Sequence, residues 1–66
     1  MTSTRIMVDK LEGMLGTQDL NEWEQGFVRG MVDRRDSKDL TGQSLLLGIT
    51  EKQIEILTRL HNKHFA

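Results

Sequence analysis

Apolar residues recur along this chain at steps of one, three and four, and no segment shows the strict alternation of a half-buried strand. The first such run carries Ile6, Met7, Leu11, Met14 and Leu15. It predicts a helix over about 4–15, with Ser3 or Thr4 as cap and Gly16 as the residue that turns left-handed at its end. Gly13 inside it costs about 1 kcal/mol relative to alanine, so this helix depends on packing.

A second helix is predicted over about 21–35. Asn21 is a good N-cap, and Glu24 follows three residues later in a capping-box arrangement. Glu22 and Glu24 sit at the positive end of the helix dipole. Trp23, Phe27 and Met31 follow at i, i+4 and i+8, with Val28 and Val32 beside them and Leu20 able to fold back over the same face. This spacing predicts that Trp23 and Phe27 are buried. Gly26 and Gly30 lie four apart on the same helix. They are expected to let another backbone come close, either a helix of the same bundle or a partner.

The third helix, about 50–64, has Thr50 as cap and Gln53 at the third helical position, with Ile49 and Ile54 placed for a hydrophobic staple. Ile54, Leu57 and Leu60 mark one face, with Ile56 and Phe65 at its margins. Residues 36–48 connect the second and third helices. Asp39, Thr41 and Gly42 are turn formers there, and Ser44 to Leu47 can make one helical turn closed by Gly48. The expected fold is a single all-α domain over 1–66, a small three-helix bundle with a long second connection.

Size changes how the leucines are read. Sixty-six residues form one thin core, of the kind that often leans on a disulfide, a metal or a partner. No cysteine is present, which removes disulfides and thiolate metal sites and fits a reducing compartment. No apolar run approaches the roughly 20 residues of a membrane span. The N-terminal sequence lacks a signal-peptide layout. A cytoplasmic protein is expected, without a membrane.

The net charge of −1 argues against a general polyanion binder. Its distribution is uneven: residues 1–28 hold two basic and five acidic side chains, and residues 29–66 hold seven and five. Arg34, Arg35 and Lys38, with Arg29 nearby, form a basic cluster. Asp33, Asp36 and Asp39 are interleaved and cancel the charge over 33–39. The cluster is read as a self-neutralised helix end that could still touch phosphate or an acidic partner.

Catalytic chemistry is sparse. Ser3, Ser37 and Ser44 have no nucleophile-elbow context, and no glycine-rich phosphate loop is present. His61 and His64 form H-x-x-H near the C-terminus, where two solvated histidines are expected rather than a metal site. No enzyme, cofactor or metal is expected.

The run Leu45, Leu46, Leu47 is the feature with no local explanation. A single helical turn turns two of the three inward at most. Either the loop is a lid that enlarges the core, or part of it is an apolar contact for another protein or a second copy. The expected partner-binding residues are Leu45, Leu46 and Leu47 as anchors, with Arg34, Arg35 and Lys38 as a charged rim.

The segments L-N-E-W-E-Q-G-F-V at 20–28 and I-T-E-K-Q-I-E-I-L-T-R-L at 49–60 together form a pattern of Leu-x-x-Trp-Glu-x-x-Phe, then Ser/Thr-x-Lys-Gln with spaced Leu/Ile. This resembles segments of small phage and mobile-element proteins, some beside replication or recombination functions. The stretch QSLLLG looks like an insertion into that pattern. The resemblance implies a non-enzymatic regulator or inhibitor that docks on a larger protein, such as a host enzyme or a CRISPR effector. Two alternatives are a nucleic-acid accessory protein of phage replication or recombination and a self-associating helical bundle forming a homodimer.

Overall fold

The computed structural model describes residues 3–65. Three α-helices make up the fold: α1 (Thr4–Glu12), α2 (Glu22–Asp36) and α3 (Glu51–Phe65), with a 3-10 turn at Leu45–Gly48 between the last two. The all-α three-helix bundle expected from the periodicity is what forms. The shortest helix, α1, approaches both longer helices closely and sits between them. Val8 and Leu11 of α1, Val28 of α2 and Leu57 of α3 are fully enclosed.

The helix ends follow from their caps. The Ser3 hydroxyl accepts from the Ile6 N–H at 3.2 Å. At α2 both arms of the capping box form: the Asn21 side-chain Oδ1 accepts from the Glu24 N–H at 2.8 Å, and the Glu24 carboxylate accepts from the Asn21 N–H at 2.9 Å. Thr50 and Gln53 make the same reciprocal pair at 3.2 and 2.9 Å. α1 is shorter than its periodicity predicts. After Gly13 the chain tightens, with the Met14 and Leu15 N–H groups donating to Leu11 and Glu12 carbonyls three residues back. Gly16 then reverses the chain at φ +82°, the left-handed role the sequence assigns it.

The buried face of α2 is rotated from the one its aromatic spacing predicts. Glu24, Val28 and Met31 face the core. Trp23 is 62% exposed, and Phe27 is only half-buried. Steps of four advance slightly more than one turn of a 3.6-residue helix, so a stripe of Trp23, Phe27 and Met31 drifts. Only its last member reaches the centre. α3 is likewise rotated: Leu57, Leu60 and His61 are buried, and Ile54 is 38% exposed. His61 is therefore a core-facing residue, not a solvated one. His64, three residues on, is half-buried.

Candidate functional site

The 36–48 connection is a built loop. Ser37 ends α2, and residues 38–44 close on themselves through an antiparallel bridge between Lys38 and Ser44. Inside the closure the Asp39 carboxylate accepts from the Thr41 N–H and hydroxyl and from the Gln43 N–H, at 2.8, 2.6 and 3.0 Å. Those hydrogen bonds, with Thr41 first, hold the Asp39 carboxyl below its ordinary range. Gly42 turns the chain at φ +84°. The Ser44 hydroxyl reaches back to the Arg34 and Arg35 carbonyls at 3.2 and 3.0 Å, meeting two unpaired acceptors at the end of α2. It also accepts from the Leu46 N–H, so one side chain caps the 3-10 turn and pins it to α2.

That pinning sorts the three leucines. Leu46 points into the core and is 7% exposed, whereas Leu45 is 37% and Leu47 74% exposed. Leu40, at the tip of the loop, is fully exposed. Two open hollows flank the turn. One, about 370 Å³, lies between Leu45 and the Gly30, Asp33, Arg34 and Ser37 surface of α2. The other, about 400 Å³, is lined by Leu46, Leu47, Ser44 and the first residues of α1, Ser3 to Arg5. The loop is thus a lid in part: one leucine seals the bundle, and Leu40, Leu45 and Leu47 remain outside.

The basic residues separate in the same way. The Arg35 side chain is 12% exposed and lies among three carboxylates: Asp9 at 2.7 Å, Glu12 at 2.8 Å and Asp36 at 3.0 Å. The hydrogen bonds it donates to Glu12, Asp36 and Asp9, in that order of effect, raise its pKa further above the range where it could lose its proton. The same guanidinium holds the Asp36 carboxyl below its ordinary range. Arg35 joins α2 to α1 rather than forming a rim. Arg34 and Lys38 are exposed and have no ion pair among the described residues. The sequence-expected set is therefore brought together in part: Leu45, Leu47, Arg34 and Lys38 at the surface, with Leu46 and Arg35 as the internal supports that hold them there.

Two features lay outside the expected site. Trp23 stacks on Phe27 with ring centroids 5.7 Å apart and an interplanar angle of 11°. Beside this pair Gly26 and Gly30 leave open space, with nothing within 4 Å of where a Cβ would stand. No helix of the described residues fills the groove. Each of these glycines still costs about 1 kcal/mol of helix stability relative to alanine. On the core-facing side of the same end of α2, Lys63 approaches the buried Glu24 carboxylate at 3.4 Å, and Lys10 lies 5.7 Å from the centre of the Phe65 ring. The Nε2 atoms of His61 and His64 are enclosed and without a hydrogen-bond partner among the described residues. Among the described residues, no group of three or more His, Asp or Glu side chains is placed to hold a metal ion, and no helix is long and apolar enough to cross a membrane. Comparison with protein-family models, with characterised proteins and with solved structures found no match for this chain.

Proposed function

We propose that this chain is a non-enzymatic protein-binding module that docks on a larger protein through the 36–48 loop. The observation that carries this reading is the exposure of Leu40, Leu45 and Leu47 on a loop fixed by Asp39 and Ser44. A preformed apolar contact loses little conformational freedom on binding. Arg34 and Lys38 supply a charged rim beside it, and hot spots of this kind concentrate in a few apolar and arginine side chains. The likeness of residues 20–28 and 49–60 to segments of small phage proteins supports a phage-type regulator or inhibitor acting in the host cytoplasm, with a defence complex such as a CRISPR effector as one target class.

The experiment is capture of a partner from host lysate by the tagged chain and by a Leu45→Ser/Leu47→Ser variant of equal thermal stability. Loss of the captured protein with the variant assigns the contact to the loop. Undiminished capture by the folded variant removes the loop from the interface.

A nucleic-acid accessory role is the second reading, favoured by the Trp23–Phe27 stack, since an exposed aromatic is what single strands use as a platform. Glu22, exposed on the same turn, opposes it. Binding of a single-stranded oligonucleotide that weakens steeply with salt is the expected signature of that role.

A further inference from the structure

We draw no further inference here: the strongest candidate, the open surface patch over Gly26 and Gly30 on the outer face of α2 beside the stacked Trp23 and Phe27, carries nothing because nothing in the structure shows what covers it.

Discussion

Arg35 near the end of α2 grips Glu12 at the end of α1 with both prongs of its guanidinium, Nη1 to Oε1 at 2.8 Å and Nη2 to Oε2 at 3.1 Å. The two residues are 23 positions apart. The guanidinium also holds Asp9 and Asp36, and it is the most enclosed member of the network at 12% exposure. Planar two-pronged geometry is what distinguishes arginine from lysine here.

Arg35→Met should therefore destabilise the fold, while Arg34→Met should not. The three carboxylates are 42–63% exposed and screened by solvent, so the expected loss is about 1–2 kcal/mol rather than that of a fully buried pair. Urea unfolding of the two variants checks this. The Arg35 effect should shrink in high salt, and equal stability of both variants would show that the network holds nothing together.

Leu46 and Leu47 are neighbours with opposite roles. Leu46→Ala removes a buried side chain from a thin core and should cost about 2–3 kcal/mol, at the low end for buried leucines. A domain of this size has only about 3–5 kcal/mol to lose, so the variant should be partly unfolded at 37 °C. Leu47→Ser should stay within about 0.5 kcal/mol of the parent. Circular dichroism melts of the two decide whether the 3-10 turn is seated as described; similar losses for both would mean that Leu47 also belongs to the core.

The caps were legible in the sequence because they are local. Asn21 with Glu24 and Thr50 with Gln53 satisfy backbone donors within three residues, and no tertiary contact is needed to form them. Gly16 was legible for the same reason. The buried faces of α2 and α3 were less so. Glu24 curls back to its own cap, which lets its stem lie inward, and the face then runs through Val28 and Met31 instead of Trp23 and Phe27. The loop divided as its run of three leucines allowed, with one inside, but which one depends on the Ser44 hydroxyl meeting the last carbonyls of α2. Arg35 could not be separated from Arg34 by sequence alone, since two of its three partners, Asp9 and Glu12, come from α1. Pairing between distant segments has no signature in local spacing.

His61 is buried, its Nε2 has no partner among the described residues, and its ring packs 5.5 Å from that of Phe65. An enclosed polar atom without a partner costs stability, on the order of 1 kcal/mol or more. His61→Leu keeps the volume and removes that polar atom, so the melting temperature should rise or stay level, as it would not for an ordinary core residue. His61→Asp, which buries a carboxylate at the same place, should unfold the chain. A marked drop for His61→Leu would instead reveal a hydrogen bond or ligand that His61 serves.

Glu24 should contribute the first loss of stability on acidification. The Asn21 N–H is the main cause holding its carboxyl below the ordinary value of 4.5, against the opposing effect of burial, with the Lys63 ammonium and the nearby His64 adding to it. A carboxylate depressed in this way stabilises the folded state above its unfolded value, and that contribution disappears as pH falls through the folded one. Urea midpoints should accordingly be level down to about pH 5 and fall below about pH 4.5. Asp36 and Asp39, depressed from 3.8, extend the fall at lower pH. Glu24→Gln separates the contributions. The amide oxygen can still accept from the Asn21 N–H, so the cap persists, but nothing titrates at that position. The variant should be less stable than the parent at neutral pH and lose less on acidification, so the two curves converge. Parallel curves would place the acid sensitivity wholly on Asp36 and Asp39.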